Sequence, residues 1–469
     1  MAVILGLDLG TTTITGVALN TVSGEQIGCA SLANRAARPA DPGRSEWDVE
    51  RMLSLAVDCL RDLASQCGAG RELVGLGITG QQHGMVLLDG AGQPLGPFVN
   101  WQDRRTEEPM PGTSGSYLDE ARRRLGEVRE QTGCRLSAGY LAATLFWLAQ
   151  QGQLPEKATA CFLMDHVAAV LTATRPVTDA TCAASAGVFD LQRGDWAFDL
   201  LEGLGLPRTA VPPVHPSGAQ VGRLTALLAR ATGLPEGLPV FGGIGDNQAS
   251  FLGSVAHPEE SLLVNVGTGG QVAGWSAVPE SDPQLETRPF PLGGVLLVSA
   301  GLVGGAAYAQ LEQFFRAVLR DLGGDAGAEI YARMNQLAAA IPEGCDGLTC
   351  EPFFAGTRLE PTRRAAWTGL GRDNFTPGHL ARALLEGMAR TLAASGQRIE
   401  SHLSRPTSRL VGAGNGLRAN ELLCDIVARA FGRPLQLSSR PEEAARGAAR
   451  LAAVRAGCYP DLSAAACLC

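Results

Sequence analysis

A short pattern of strand, small-residue turn and strand occurs twice in this chain, about half its length apart. The first copy is ILGLDLGTTTITGVAL at residues 4–19, and the second is SLLVNVGTGGQVAGW at residues 261–275. Apolar runs flanking a turn of glycine and threonine predict paired strands whose turn leaves the backbone open to close approach. The repeat predicts an α/β chain of two similar domains, 1–256 and 257–469, with the boundary in the polar segment AHPEES near His257.

Strands and helices alternate in the rest of the chain. The local patterns predict helices over 46–67, 141–151 and 162–173, a strand over 73–80, and units of strand, glycine-rich turn and helix over 238–255 and 409–432. Such an alternation is typical of α/β domains.

Composition and charge exclude several classes of protein. The chain has 469 residues and a net charge of −8 without a basic cluster, so nucleic acid is not an expected partner. Lys157, in LPEKAT, is the only lysine in the sequence, so the P-loop motif G-x-x-x-x-G-K-[ST] is absent. If the protein handles a nucleotide, it uses another kind of phosphate site.

The sequence also argues against a membrane or secreted protein. The longest apolar stretch, at residues 293–309, is glycine-rich and shorter than the roughly 20 residues of a membrane span, so a buried strand followed by a helix is predicted there. Asp8 interrupts the first apolar run, which is unlike a signal peptide. The twelve cysteines lack the spacing of a zinc site. A reduced, soluble, cytoplasmic protein without membrane contact is predicted.

The two turns are candidate phosphate sites. Glycine and threonine offer backbone N–H groups and hydroxyls to phosphate oxygens, and two such turns from two domains would grip a triphosphate from both sides. Asp8, at the end of the first strand, suits a magnesium ion held directly or through water. The alternative is that each turn is only a hairpin connection.

A second carboxylate lies in GDNQAS. Asp246 follows a glycine-rich stretch and precedes a predicted helix. A helix N-terminus favours the ionised carboxylate, which can accept a proton from a hydroxyl group. The alternative is that Asp246 is the N-cap of the helix and has only a structural role.

Six motifs occur in an order that resembles a known family: LDLGTTT, GITGQQHG, NWQDRR, GDNQAS, NVGTGG and VGAGNGLRAN. The chain resembles the FGGY family of carbohydrate kinases along nearly its whole length. The resemblance implies two ribonuclease-H-like domains of the actin, hexokinase and Hsp70 ATPase type around a central cleft. It also implies transfer of the ATP γ-phosphoryl group to a sugar or polyol hydroxyl, with Mg²⁺.

The resemblance implies roles for particular residues. Asp246 is expected to be the general base, and Asp8 is expected to serve the metal ion. The residues expected to bind ATP are Thr11, Thr12, Gly267, Thr268, Gly269, Gly305, Gly414 and Asn420. Those expected to bind the sugar are Gln82, His83, Trp101, Asp103 and Asn247.

Three of the sugar-binding candidates have alternatives. His83 could be structural, since a lone histidine in a loop often is. Trp101 could fill the core instead of packing on the apolar face of a sugar. Asp103 could pair with Arg104 or Arg105.

The loop GQQHG at residues 80–84 bears on the substrate. Glycerol kinases of this family carry an Arg-Glu pair at the place of Gln82 and His83, which argues against glycerol, although WQDRRT resembles that subfamily. Ketose kinases carry Gln-Met-His-Gly, so Gln82 here replaces a methionine. It would either bond one more sugar hydroxyl or indicate a different substrate. The stretches TLFWL, GAGNGLRANELLCDIVARAF and GTRLEP look most like the family members that phosphorylate sedoheptulose.

The sequence therefore predicts an ATP-dependent kinase that converts sedoheptulose to sedoheptulose 7-phosphate. A xylulose kinase or another sugar or sugar-acid kinase of the same family is the alternative. Two alternatives of another class are a catalytically silent sugar-binding regulator and an ATPase that needs no sugar. The expected partner is a small-molecule sugar, and a homodimer is left open.

Overall fold

Two six-stranded sheets carry the fold. The computed structural model describes residues 2–68, 70–324, 327, 329–357, 360, 362–438 and 440–469. The strands of the first sheet are β1 (Ala2–Leu9), β2 (Thr13–Asn20), β3 (Gln26–Ala33), β4 (Glu72–Gly80), β5 (Gln220–Arg223) and β6 (Pro239–Gly245). Those of the second are β7 (Ser261–Val266), β8 (Gly269–Ser276), β9 (Glu286–Pro289), β10 (Val295–Val303), β11 (Arg409–Ala413) and β12 (Leu435–Leu437).

Five strands of each sheet share one topology, and the sixth strand is added at opposite ends. Their orders are β5-β6-β4-β1-β2-β3 and β9-β10-β8-β7-β11-β12. In each sheet three strands pair antiparallel (β1–β2–β3 and β7–β8–β10), and two further strands add in parallel beside the first of them. This repeat confirms the predicted fold class of two ribonuclease-H-like α/β units.

The helices pack around these sheets. In chain order they are α1 (Val49–Cys67), α2 (Tyr117–Leu125), α3 (Arg129–Thr132), α4 (Leu141–Gln150), α5 (Leu163–Thr172), α6 (Ala180–Ala183), α7 (Phe198–Gly203), α8 (Ala226–Thr232), α9 (Asp246–Ser254), α10 (Gly305–Asp321), α11 (Ile330–Ala339), α12 (Pro377–Glu400), α13 (Asn415–Arg418), α14 (Glu421–Phe431) and α15 (Glu443–Arg455). The short strands outside the main sheets are Glu46–Trp47, Gly84–Leu88, Phe98–Asn100, Thr159–Cys161, Thr178–Asp179, Phe189–Asp190, Asp195–Trp196, Val214–His215, Thr349–Glu351 and Ala366–Thr368.

The elements expected from local patterns are confirmed, with shifts at their ends. Helix α1 begins later than predicted because Asp48 caps it, accepting a hydrogen bond from the backbone N–H of Arg51 at 3.0 Å. The apolar stretch 293–309 forms β10 and the start of α10, as predicted. None of the helices in the described residues combines the length and the apolar character needed to cross a membrane.

The register of the strands brings the motif loops to one edge of each sheet. In the first sheet Leu9 pairs with Gly80, and Gly80 pairs with Gly245, so β1, β4 and β6 end side by side. In the second sheet Asn265 pairs with Ala413. The loops after these parallel strands emerge together, which is where ligands bind in open α/β sheets.

Helix α15 crosses from the second half of the chain to the first. It packs on β1, β4 and α9. Its fully buried Arg450 donates hydrogen bonds of 2.7 Å to the carbonyl oxygens of Leu252 and Val255 at the end of α9. The domain boundary near His257 stays a prediction, and α15 is a contact across it.

Candidate active site

A cavity of about 960 Å³ is lined by residues of both halves of the chain. Asp8 and Thr13 line it from the first sheet, and Gly267, Thr268 and Gly305 line it from the second. Its volume lies at the upper end of the range for small-molecule and cofactor sites. The cavity is therefore large enough for a nucleotide.

The turn between β7 and β8 and the start of α10 form one unit. The backbone N–H of Gly305 donates to the carbonyl oxygen of Gly267 at 2.8 Å, and that of Ala306 donates to Thr268 at 3.0 Å. A Cβ atom on Gly304 would lie 2.2 Å from the carbonyl carbon of Gly269, so only glycine allows this approach. The N-terminus of a long helix beside a small-residue turn favours anions such as phosphate.

An apolar and aromatic wall lines the other part of the cavity. Its members are Tyr308, Tyr331, Leu385, Met388 and Leu423, and they suit the flat face of a base. They come from α10, α11, α12 and α14, which are far apart in sequence, and no local pattern pointed to them. Sequence reasoning missed this wall.

Two of the predicted ATP-binding residues shape this wall. Asn420 caps α14 by accepting a hydrogen bond from the backbone N–H of Leu423 at 3.0 Å. It also donates to Asn335 at 3.1 Å, which in turn accepts from the Tyr308 hydroxyl at 2.7 Å. Gly414 lines the cavity with a φ of 89°, a conformation that favours glycine.

Thr11 and Thr12 precede Thr13, which lines the cavity. The carbonyl oxygen of Thr12 accepts a hydrogen bond from the backbone N–H of Asn34 at 2.8 Å. The role of these two threonines and of Gly269 as phosphate ligands stays a prediction.

Asp8 fits a divalent cation. Burial, together with the like charges of Asp246 and Glu442, raises the pKa of Asp8 to about 8. Its buried Oδ1 has no hydrogen-bond partner among the described residues. A cation would remove both penalties.

The donor set is sparse. Within the described ranges, no group of three or more His, Cys, Asp or Glu side chains is arranged to hold a metal ion. Mg²⁺ usually binds proteins through one or two carboxylates and keeps water and substrate phosphates as its other ligands. Asp8 lines the same cavity as the small-residue turn at Gly267 and Thr268, and a single carboxylate near a candidate phosphate site matches this mode of binding.

Asp246 is the first residue of α9, directly after β6. Gly245 is the N-cap of this helix, so the interpretation of Asp246 as N-cap is wrong. Burial raises the pKa of Asp246 to about 6, although the charge of Arg288 and the backbone N–H groups of Asn247 and Gln82 act in the opposite direction. A carboxylate with a pKa near neutrality is suited to general-base work.

Two other residues predicted to bind the sugar are Asn247, next to Asp246 in the chain, and His83. The Oδ1 atom of Asn247 is buried and has no hydrogen-bond partner within the described ranges. The ring of His83 stacks on Tyr140, with 4.3 Å between the ring centroids, and its Nδ1 lies 3.1 Å from the carbonyl oxygen of Ser185. These contacts fix the orientation of the imidazole ring.

Trp101 is 44% exposed, so it does not fill the core. Its indole N–H donates to the Thr11 hydroxyl at 3.2 Å. This hydrogen bond joins a residue predicted to bind the sugar to a residue predicted to bind phosphate.

The prediction that Asp103 binds the sugar is wrong. Its side chain is 1% exposed. Oδ1 accepts from the backbone N–H and Nε of Arg105 at 2.9 and 2.8 Å, and Oδ2 accepts from the Ser45 N–H at 2.7 Å and from Arg105 Nη2 at 3.0 Å. Because each oxygen already accepts two hydrogen bonds, the carboxylate has no site for a hydroxyl. The alternative pairing with Arg105 is confirmed.

Gln82 also bonds to the protein. Its side chain is 3% exposed; Nε2 donates to the carbonyl oxygen of Thr181 at 3.0 Å, and Oε1 accepts from Arg288 Nη1 at 2.7 Å. The amide keeps one N–H and one lone pair beyond these two bonds, so the expected bond to a sugar hydroxyl stays a prediction. Sequence reasoning missed both Thr181 and Arg288, since neither lies in a recognised motif.

Comparison with known families identifies the class of protein. The N-terminal domain of the FGGY family of carbohydrate kinases matches residues 3–253, and the C-terminal domain of the same family matches residues 262–456. The chain therefore belongs to the FGGY family of carbohydrate kinases. It is an ATP-dependent carbohydrate kinase.

Particular relatives cover nearly the whole chain. Human sedoheptulokinase is 29% identical over 95% of this chain and 96% of its own length. A glycerol kinase from Ralstonia pickettii is 28% identical over 98% of this chain and 91% of its own. The crystal structure of a xylulose kinase from Rhodospirillum rubrum superposes with a TM-score of 0.87 at 29% identity, over 99% of this chain and 92% of that one.

Proposed function

We propose that the protein phosphorylates a ketose, with sedoheptulose as substrate and sedoheptulose 7-phosphate as product. The proposed reaction rests on the position of Asp246. This residue is buried at the carboxyl edge of the first sheet, beside Asn247 and the loop of Gln82. The similarity to human sedoheptulokinase supports the choice of sugar. Xylulose is the second candidate, supported by the likeness to the xylulose kinase structure.

In the proposed reaction, the ionised Asp246 accepts the proton of the sugar hydroxyl as that oxygen forms its bond to the γ-phosphorus. The bond from the γ-phosphorus to the bridging oxygen breaks, and ADP leaves. Asn247 Oδ1 accepts a hydrogen bond from a neighbouring hydroxyl, and His83 donates or accepts another. Mg²⁺ held beside Asp8 would supply positive charge against the phosphates.

The phosphate groups lie at the second sheet in this proposal. The small-residue turn at Thr268 lets phosphate approach closely, and the N-terminus of α10 contributes its helix dipole; together they replace the lysine of a P-loop. The proposal thus explains how a chain with a single lysine handles a triphosphate.

A coupled assay of ADP release with Mg²⁺ and ATP tests the substrate. The panel holds sedoheptulose, xylulose, ribulose, fructose, gluconate and glycerol, with a reaction without sugar as the control. We expect the highest kcat/KM with sedoheptulose. A preference for xylulose would replace the substrate and keep the reaction, while no sugar-dependent release across the panel would favour a silent sugar-binding regulator.

The pH dependence of kcat/KM should report the ionisation of Asp246. The carboxylate is active as a base only when ionised, and its pKa is raised to about 6. The rate is therefore expected to fall as the pH is lowered through about 6, tending to a tenfold loss for each further unit. A profile that stays flat down to about pH 5 would contradict this assignment.

A further inference from the structure

Arg288 links the second sheet to the sugar side of the first. It lies in β9, at the edge of the second sheet, and its side chain is 8% exposed. Its Nε donates to Glu286 Oε2 at 2.9 Å, and its Nη2 contacts the same oxygen. Its Nη1 donates to Gln82 Oε1 at 2.7 Å, across 206 residues of sequence.

Gln82 passes this contact on to the predicted base and to His83. Its backbone N–H lowers the pKa of the Asp246 carboxyl, and its carbonyl oxygen accepts from the Ser185 hydroxyl at 2.5 Å. The carbonyl oxygen of Ser185 lies 3.1 Å from His83 Nδ1. Hydrogen bonds therefore join Arg288 to His83 through Gln82 and Ser185, and the backbone of Gln82 acts on the carboxylate of Asp246.

Strand β9 is held against the first half of the chain by other bonds as well. The backbone N–H of Thr287 donates to Gly133 at 2.9 Å, and Gln248 Nε2 donates to the carbonyl oxygen of Pro289 at 3.0 Å. Because these bonds flank Arg288, we expect the strand to keep its place when the guanidinium is removed. The side chain of Arg288 can then be tested separately from the docking of its strand.

We propose that Arg288 is a positioning residue for the sugar, which orients the Gln82–His83 loop and the Asp246 carboxylate through its bond to Gln82. The inference rests on the proposed function of Asp246. A buried amide oxygen needs a donor, and the guanidinium supplies a charge-assisted one. The same positive charge lowers the pKa of Asp246 and so favours the ionised base.

Arg288→Gln, Arg288→Lys and Gln82→Met test this role. In Arg288→Gln we expect kcat/KM for the sugar to fall by roughly 10- to 100-fold with a raised sugar KM, since misplaced catalytic groups carry losses of that size. The KM for ATP should stay unchanged, because Arg288 does not line the 960 Å³ cavity. Arg288→Lys keeps the charge and should recover part of the loss.

Arg382→Gln is the matched control. Arg382 is also a buried arginine of the second half, 4% exposed, and its Nε donates to Glu386 at 2.8 Å. It should lower stability as Arg288→Gln does, without raising the sugar KM. Equal sugar KM values in Arg288→Gln and the parent, or an equal rise in Arg382→Gln, would overturn the proposal.

Gln82→Met tests the same contact from its other side if Arg288→Gln does not fold. It removes the acceptor while leaving Arg288 paired with Glu286, and it should raise the sugar KM in the same direction. An unchanged sugar KM in this variant also overturns the inference. Failure of the underlying function looks different, because Asp246→Asn would then keep its turnover whatever Arg288 does to the KM.

Discussion

Asp246→Asn is expected to lower kcat by about 100-fold or more while leaving the fold and the KM for ATP unchanged. Asparagine has nearly the same shape, and its amide oxygen can still face the backbone N–H groups of Gln82 and Asn247 that act on Asp246. It cannot accept the proton of the sugar hydroxyl. The coupled assay of ADP release, run at saturating ATP and sugar, measures the loss.

Asp199→Asn is the control for this variant. Asp199 is exposed in the first turn of α7, so the same chemical change at a helix start lies outside the site. It should keep full turnover. If Asp246→Asn also turned over at a near-normal rate, another group would have to be the base.

Gly447→Ala is expected to cause a large loss in the free energy of unfolding. Gly447 lies in α15 where this helix crosses α9, and a Cβ atom there would be 1.8 Å from the carbonyl oxygen of Ala249. Neither backbone can yield without separating the two helices, so we expect a loss of about 3 kcal/mol or more, at the upper end of overpacking costs. Since α9 begins with Asp246, the active fraction should also fall.

Gly203→Ala makes the same substitution where space is free. Gly203 is the last residue of α7 and a Cβ atom there meets nothing within 4 Å. Alanine favours a helix by up to about 1 kcal/mol over glycine, so this variant should match or exceed the parent. Unfolding midpoints in denaturant compare the variants, and equal midpoints for Gly447→Ala and the parent would rule out the close crossing of α9 and α15.

Local sequence was enough to predict the main elements. The strand–turn–strand repeat appears as β1–β2 and β7–β8, and the apolar periodicity of 46–67 appears as α1. These patterns succeed because burial of one face of a strand or helix repeats at a period set by the backbone itself. The carboxylates Asp8 and Asp246 could be singled out for the same reason, since each stands at a strand end.

Local sequence was insufficient for polar side chains that have more than one possible partner. Asp103 looked equally suited to a sugar or an ion pair, and only the position of Ser45 and Arg105 showed that its oxygens are filled. Gln82 looked like a sugar ligand only. Its partner Arg288 lies 206 residues away, so the local sequence did not indicate the bond between them. A polar side chain offers the same donors and acceptors to a ligand or to a neighbour, so its sequence context alone leaves the partner open.

For this chain, then, local pattern is sufficient for the repeated α/β units, the two small-residue turns and the two strand-end carboxylates. The contacts between these parts depend on tertiary packing. They are the apolar wall formed by four separate helices, the crossing of α15 and α9, and the hydrogen bond from Arg288 to Gln82. The physical reason is that periodicity is a property of neighbouring residues. A contact between distant residues depends on the whole chain having folded, and it leaves no periodic trace in the sequence.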